Sequence, residues 1–402
     1  MKINREFVTQ IPKSDLHLHL DGSLRLSTLI DLARKNNVQL PAATEAGLKQ
    51  KVFKSEYNSL EEYLRGFAYT TAVLQNEEAL ERVAYELAED NLNEGVRYIE
   101  VRFAPQLHQN EQLSCMAVMK AVNRGLARAR EEFNRHREIV AGAEPPFEYG
   151  FIVCAMRMFA PGFSRYFDAL LNVHQHSERK WIFSLASQEL VKAAIEARNI
   201  HAIPVVGFDL AGMEKGYPAV DHKAAYALAH RNFLKKTVHA GEAFGPESIF
   251  QAITELYADR IGHAVHLFDW QMITNEEIED KKRYVEDLVQ YIADRRITIE
   301  VCLTSNLQTN PEIRDLSRHS FGKMRRARLS ATFCTDNRTV SATTVSDEIL
   351  KAVETFDIGP KELRDFVVYG FKRSFYPGSY LAKRKYVRQI IEHYEKIEKR
   401  FA

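Results

Sequence analysis

The sequence predicts a mixed α/β fold, a (β/α)8 TIM barrel with extra helices after strand 1 and at the C-terminus. Eight short β-rich runs alternate with segments of helical period, and this alternation is typical of a closed parallel barrel. A doubly wound open sheet is the alternative, but the Gly-rich dinucleotide turn that such sheets often carry is absent. The eight runs are 13–20, 96–103, 148–156, 203–211, 235–242, 260–265, 297–302 and 329–336.

Amphipathic segments between these runs predict the helices. In 77–94 the apolar residues fall on one stripe, and Gly95 follows as a C-terminal stop. Pro246 opens a second predicted helix over 246–257, because proline is favoured at the first helical position. The segment 284–295 has a similar pattern.

Three stretches of the chain are additional to what a minimal barrel requires. Residues 24–95 hold several helices, residues 157–186 form an insertion, and the tail 345–402 is predicted to be helical. The last helix is expected to bury Leu381, Tyr386, Ile390, Tyr394 and Ile397. No linker separates these stretches, so we predict one domain over 1–402.

The composition is that of an ordinary globular protein, with 45% hydrophobic and 27% charged residues. A formal net charge of +1 gives no general attraction to nucleic acid or to an anionic membrane, so neither is expected as a partner. Three of the four cysteines, Cys154, Cys302 and Cys334, lie in apolar runs and are predicted to be buried thiols. With neither a signal core nor a membrane-length apolar run, we expect a cytoplasmic protein; the oligomeric state stays open.

Histidines and acidic residues follow the ends of several predicted strands. In HLHLDGS, His17 and His19 are two residues apart, so they project from the same side of the first strand. The fifth strand ends in VHAGE and supplies His239 and Glu242. Because the active site of a barrel lies at the C-terminal ends of its strands, we expect these side chains to share one rim.

The sixth and eighth strands add His263, Asp336 and Asn337 to this rim. Several imidazoles with a carboxylate suit a divalent metal, zinc first, and such a site predicts metal-assisted hydrolysis. Each residue also has a simpler interpretation: strand histidines can satisfy each other, and an Asp-Asn pair can cap a helix or form a turn. Their common position at strand ends favours the metal site.

Seven motifs, in order, resemble those of the adenosine deaminase family over about residues 11–375. They are PKSDLHLHLDGSL, GVRYIEVRFAPQL, VVGFDLAGME, TVHAGE, RIGHAV, EVC followed by SN, and CTDN. The resemblance implies a (β/α)8 barrel with one zinc ion per chain. It also implies hydrolytic deamination of a small purine nucleoside, adenosine or 2′-deoxyadenosine, to inosine and ammonia.

The resemblance assigns roles to individual residues. The implied zinc ligands are His17, His19, His239 and Asp336. In the implied reaction, metal-bound hydroxide attacks purine C6, Glu242 protonates N1, and His263 orients the hydroxide; Asp336 takes part as a ligand. The implied substrate contacts are His19, Asp21, Leu60, Phe67, Gly212 and Asn337.

Three of these contacts have a defined partner in the family. The backbone N–H of Gly212 meets purine N3, where a side chain would block the approach, and Asp21 contacts the ribose 5′-hydroxyl. The segment 59–67 resembles a mobile helix that covers the pocket, with Leu60, Tyr63 and Phe67 as its apolar face.

The sequence departs from the family in two places. Asn337 stands where the best-known members have a second aspartate that contacts purine N7; an amide donates to N7 without needing protonation. Ala264 replaces the glycine after His263. The preferred 6-aminopurine therefore stays open.

Alternatives remain within and outside this class. They include a deaminase of free adenine, or of a 5′-modified 6-aminopurine nucleoside such as AMP, for which Arg25 and Lys54 are nearby basic residues. A two-metal hydrolase would need a bridging lysine after strand four, but the sequence there is FDLAG. A non-catalytic barrel would have lost Glu242, which is present. The second HxH pair, His174 and His176, is expected on a helix or loop surface.

Overall fold

Eight parallel strands form one sheet in sequential order, from β1 to β8. The computed structural model describes residues 2–313 and 315–402. The strands are β1 (Lys13–His19), β2 (Val96–Phe103), β3 (Glu148–Met156), β4 (Val205–Ala211), β5 (Lys235–Ala240), β6 (Arg260–His263), β7 (Thr298–Val301) and β8 (Ala331–Phe333). A parallel bridge between Leu18 and Asp336 joins the first strand to the segment after the last. The predicted (β/α)8 barrel is therefore confirmed.

Helices connect the strands and cover the barrel. They are α1 (Arg5–Gln10), α2 (Leu26–Lys35), α3 (Glu45–Lys51), α4 (Leu60–Leu64), α5 (Phe67–Val73), α6 (Glu77–Leu92), α7 (Pro105–His108), α8 (Cys115–Asn134), α9 (Arg137–Val140), α10 (Arg165–Val173), α11 (Arg179–Asn199), α12 (Lys223–Arg231), α13 (Pro246–Thr254), α14 (Lys281–Arg295), α15 (Leu303–Thr309), α16 (Phe321–Arg326), α17 (Val345–Phe356), α18 (Pro360–Arg373) and α19 (Tyr380–Phe401). Short 3-10 helices cover Ala219–His222, Trp270–Met272 and Leu316–Arg318.

Local signals in the sequence account for several helix ends. The side chain of Asn76 caps α6 by accepting a hydrogen bond from the backbone N–H of Ala79 at 2.9 Å. Gly95 follows this helix with φ +86°, a conformation that glycine adopts without strain. The helix predicted over 284–295 begins earlier, at Lys281, because the Asp280 side chain caps it.

The last strand is the one that differs most from its predicted range. The run 329–336 forms a strand only from Ala331 to Phe333. Asp336 has φ +60°, so the chain leaves the extended conformation there. Asp336 lies beside β1, where it forms the bridge with Leu18.

Charged side chains, rather than aliphatic ones alone, fill part of the barrel interior. Arg102 on β2 reaches Asp209 on β4 and Glu300 on β7, each at 2.8 Å. Arg260 on β6 pairs with Glu300 at 2.6 Å and also with Glu100. All five side chains are buried, and such charges are tolerated only when they are mutually paired.

The extra stretches are helical as predicted, with one error. Residues 24–95 contain α2 to α6, and the tail contains α17 to α19. Leu381 was expected to face inward but is 77% exposed, because it lies in the first turn of α19, before the buried stripe that starts at Tyr386. The remaining predicted residues of that stripe, Ile390, Tyr394 and Ile397, are buried.

The predicted thiols are also in place: Cys154, Cys302 and Cys334 are free and buried. None of the helices in the described part of the chain has the length and the apolar run that a membrane span requires.

Candidate active site

Four side chains from three parts of the barrel meet at the C-terminal rim. His17 and His19 lie on β1, His239 lies on β5, and Asp336 follows β8. Their ligand atoms all lie within 4.8 Å of one another, and all four residues are buried. Strand alternation places the two β1 histidines on one side, and the Leu18–Asp336 bridge places the carboxylate next to them.

The polar atoms of this cluster fit a divalent metal ion. Nε2 of His19 and Nε2 of His239 lie 3.2 Å apart, and Nε2 of His17 is buried with no hydrogen-bond partner among the described residues. Oδ1 of Asp336 lies 3.4 Å from the His17 Nε2 and 3.5 Å from the His19 Nε2. Three imidazole nitrogens and one carboxylate oxygen are a donor set that zinc accepts.

Two buried carboxylates orient the imidazoles from behind. Nδ1 of His17 donates to Glu300 at 2.8 Å, and Nδ1 of His239 donates to Asp209 at 3.2 Å. With their hydrogens on Nδ1, both rings turn an Nε2 lone pair toward the cluster. Arg102 binds both carboxylates and holds them in place.

Glu300 and Asp209 were not predicted from the sequence as residues of this site. The available signal was a single acidic residue inside each of two apolar strand runs, ITIEVC and VVGFDLA. A buried carboxylate in such a run needs a partner, and here the partner is an imidazole and an arginine.

Glu242 lies just beyond β5 and is buried at the edge of the cluster. Burial, followed by the negative charges of Asp336 and Glu214, raises the pKa of Glu242 to about 8. One of its carboxylate oxygens lies 3.8 Å from Nε2 of His263. At neutral pH the Glu242 carboxyl group is therefore mostly protonated and can donate a proton.

A second glutamate, Glu214, which was also not predicted from the sequence, fixes the loop that carries Glu242. Glu214 accepts hydrogen bonds from the backbone N–H groups of Gly241, Glu242 and Ala243 at 2.8, 3.0 and 2.7 Å. Its signal in the sequence is its place in LAGME, two residues after Gly212. These three bonds hold the β5 loop in one conformation.

His263 ends β6 in an unusual backbone conformation. It has φ +68°, and Ala264 after it has φ +50°. Two consecutive non-glycine residues in the left-handed region are costly, and such costs concentrate at functional sites. Alanine at 264, where the family has glycine, therefore adopts a backbone conformation that glycine adopts more readily.

A cavity of about 740 Å³ opens beside the cluster. It is lined by all six residues named from the resemblance as substrate contacts, which are His19, Asp21, Leu60, Phe67, Gly212 and Asn337, and also by Glu242, His263 and Asp336. Gly212 has φ +102°, and a Cβ built there would make only ordinary contacts, the nearest at 3.5 Å. Backbone conformation, not crowding within the protein, is thus what favours glycine at this position.

Asp21 and Asn337 lie at this cavity with unfilled hydrogen-bonding capacity. Oδ1 of each side chain is buried without a partner in the described part of the chain. The amide nitrogen of Asn337 donates to the hydroxyl of Tyr63 at 2.8 Å, so contact with purine N7 stays a prediction. Burial raises the pKa of Asp21 to about 7.

The insertion over residues 157–186 forms part of the cavity wall. Its lining residues are Met158, Gly162, Phe163, Ser164, Arg165 and Asp168. The Ser164 hydroxyl donates to the backbone oxygen of Gln106 at 2.7 Å and anchors the start of α10. His174 and His176 lie in the turn after α10, as expected, and belong to neither group of possible metal ligands found among the described residues.

The basic residues singled out from the sequence do not line the cavity. Arg25 pairs with Asp90 and Glu89, and Lys54 pairs with Glu62 at 2.7 Å. Among the residues that the structure describes, the arginines that line the cavity are instead Arg65 and Arg165.

Comparison of the sequence with known proteins finds relatives that are described as adenosine deaminases. A family model described as adenosine deaminase matches residues 12–393. The adenosine deaminase of Mycobacterium marinum is 36% identical over 373 residues, which is 92% of this chain and 91% of the relative. That of Mycobacteroides abscessus is 36% identical over 375 residues, 92% of each chain.

Solved structures with a similar fold include an Arabidopsis N6-mAMP deaminase. It is 25% identical with a TM-score of 0.71, and the match covers 96% of this chain and 99% of that one. An adenine deaminase from Arthrobacter aurescens is 21% identical with a TM-score of 0.73, covering 95% and 98%. A zinc-bound amidohydrolase from Burkholderia ambifaria is 18% identical with a TM-score of 0.76, covering 99% and 95%. The last two show the fold alone.

Proposed function

The chain belongs to the adenosine deaminase family, and from this premise we propose that it converts adenosine and 2′-deoxyadenosine to inosine and ammonia in a zinc-dependent reaction. It is a hydrolase acting on C–N bonds of cyclic amidines, as its relatives are. One observation carries the proposal: the buried group of His17, His19, His239 and Asp336 lies at a cavity that Glu242 also lines.

The four clustered side chains would hold the metal. When bound there, zinc supplies a hydroxide nucleophile at neutral pH, because it lowers the pKa of a bound water to roughly 7. Glu300 and Asp209 keep the imidazoles of His17 and His239 in the tautomer that such binding needs.

Glu242 supplies the proton that makes the ring reactive. Its raised pKa keeps the carboxyl group protonated until a purine arrives, and transfer of that proton to N1 draws electrons from C6. C6 then accepts the oxygen of the nucleophile, and the amino group leaves as ammonia after taking the proton that this oxygen carries, which leaves the 6-oxo group. Burial of Glu242 is thus what makes it an acid at neutral pH.

The cavity residues orient the nucleoside. The backbone N–H of Gly212 is assigned to purine N3 and Asp21 to the ribose 5′-hydroxyl. Leu60 and Phe67 supply apolar surface along the same wall and exclude water from the purine.

The test uses the metal-loaded protein with adenosine, 2′-deoxyadenosine, adenine and AMP, and follows loss of the 6-aminopurine absorbance. Glu242→Gln is expected to lower turnover at least about a hundredfold, in the range typical of general acid–base groups. Glu276→Gln is the matched control, because Glu276 is exposed in a turn. Full activity of Glu242→Gln would reject the acid assignment, and activity on none of the four substrates would reject the proposed function.

A nucleoside carrying a 5′-phosphate is a second candidate substrate. The cavity reaches Arg65, between α4 and α5, and Arg165 on α10, and guanidinium groups are well suited to bind phosphate. One structural relative, 25% identical, is described as a complex with IMP. If AMP is the substrate, Arg165→Gln should raise its KM and leave the KM of adenosine unchanged.

A further inference from the structure

A chain of hydrogen bonds runs behind His263, away from the cavity. The backbone N–H of Phe321 donates to Nδ1 of His319 at 3.0 Å. Nε2 of His319 lies 3.1 Å from Oδ1 of Asn306, and Nδ2 of Asn306 lies 2.9 Å from Nδ1 of His263. The chain thus joins the start of α16 to α15 and then to the end of β6.

The direction of donation is set at the Phe321 end, because a backbone N–H can only donate. Nδ1 of His319 therefore accepts and carries no hydrogen, which excludes both the imidazolium and the Nδ1–H tautomer. His319 is buried, and burial lowers its pKa to about 4, in keeping with a neutral ring. Its single hydrogen lies on Nε2 and is donated to Asn306.

The direction of donation is the same from Asn306 to His263 at the barrel rim. Since Oδ1 of Asn306 accepts from His319, its amide nitrogen faces His263, and an amide nitrogen only donates. Nδ1 of His263 therefore accepts. A neutral imidazole has one hydrogen, so that of His263 lies on Nε2.

We propose that Asn306 and His319 are positioning residues that hold His263 in its Nε2–H tautomer, so that it presents a hydrogen-bond donor to the cavity. Nε2 of His263 is buried without a partner in the part of the chain that the structure describes. The relay is shielded from bulk solvent, because Asn306 is fully buried and His319 nearly so.

The chemical consequence rests on the proposed function. A neutral ring with its hydrogen on Nε2 has no lone pair facing the cavity, so it cannot remove a proton from the nucleophile. It can donate to the oxygen that attacks C6 and stabilise negative charge there. His263 is then a donor and an orienting group, and not a general base.

The experiment measures the tautomer directly in the metal-loaded enzyme without substrate. Protein labelled with 15N-histidine is studied by two-bond 1H–15N correlation at neutral pH, and His263 is assigned from the signals lost in His263→Asn. We expect a bare Nδ1 and a protonated Nε2. A protonated Nδ1, or protons on both nitrogens, would overturn the proposal.

Two variants separate positioning from packing. Asn306→Asp places an acceptor against His263, so its Nδ1 should gain a hydrogen and kcat should fall at least about tenfold with little change in KM. Asn310→Asp is the matched control, because Asn310 follows the same helix and is buried, and its side chain contacts His266 and the backbone oxygen of Asn306 but not the Asn306 amide. It should leave the His263 tautomer unchanged. A loss of activity in Asn306→Asp with the wild-type tautomer would assign Asn306 to packing and overturn the proposal.

His319→Gln provides a conservative rescue. Its amide oxygen can accept from Phe321 while its nitrogen donates to Asn306, so the direction of the relay and the His263 tautomer should be retained. A shifted tautomer in a folded His319→Gln protein would contradict the relay. Because the spectra need no substrate, an enzyme inactive on every purine with the expected tautomer would reject the proposed function and leave the relay intact.

Discussion

The side-chain amide of Asn337 donates a hydrogen bond of 2.8 Å to the hydroxyl of Tyr63, which also lies 2.7 Å from Oγ of Ser341. Asn337 follows β8, whereas Tyr63 lies on α4 in the wall of the cavity. The bond therefore joins the barrel end to the helix that the resemblance identifies as the cover of the pocket. Asn337, one of the two residues that depart from the family, thus has a partner within the protein itself.

Removing the Tyr63 hydroxyl should loosen this wall. Tyr63→Phe removes the hydrogen bonds to both Asn337 and Ser341, and we expect the KM for adenosine to rise about two- to tenfold, the equivalent of about 0.5–1.5 kcal/mol. Tyr57→Phe is the control, because Tyr57 packs on Tyr63 and donates to the backbone of Val340. Steady-state kinetics that change equally in both variants would count against a specific role of the Asn337–Tyr63 bond.

Metal content should depend on His17 and not on the second HxH pair. His17→Ala removes one of four clustered donors, so zinc per chain, measured by plasma mass spectrometry after dialysis, should fall well below one. His176→Ala alters an exposed turn residue and should retain the wild-type zinc content. An unchanged zinc content in His17→Ala would reject His17 as a ligand.

The carboxylate behind His17 should affect metal affinity as well as stability. Glu300→Gln weakens the acceptor for Nδ1 of His17, and we expect a ten- to hundredfold loss of zinc affinity in a chelator competition. The substitution also leaves Arg102 and Arg260 with less compensating charge, so the melting temperature should fall.

Glu348→Gln serves as the control for Glu300→Gln. Glu348 is also buried, but it accepts from threonine hydroxyls away from the metal cluster. Equal zinc affinity in the two variants would show that Glu300 does not act through His17.

The pH dependence of kcat/KM should report Glu242. The pKa of this carboxyl group is raised to about 8, and only the protonated form can donate to N1. Activity should therefore hold up to neutral pH and decline as pH rises through about 8. A thermal melt at each pH shows that the protein stays folded, and an undiminished kcat/KM well above pH 8 would contradict this assignment.

The sequence alone was sufficient to predict the barrel and the residues at its rim. Strand alternation puts His17 and His19 on one side of β1 whatever surrounds them, and parallel strands in a barrel bring their C-terminal ends together. The positions of β2 and β3 matched their predicted ranges for the same reason, since the periodicity of a strand is local.

Only the tertiary structure determined which side chains form hydrogen bonds to the rim histidines on the side away from the cavity. Glu300 meets His17 across 283 residues of sequence, and Asn306 donates directly to His263 at the end of a relay that begins at Phe321. The exposed Leu381 shows the same limit, because a helical stripe does not reveal where its packing partner begins. Periodicity determines the side of its own element on which a residue lies, whereas the partner on that side depends on how distant elements pack around the closed barrel.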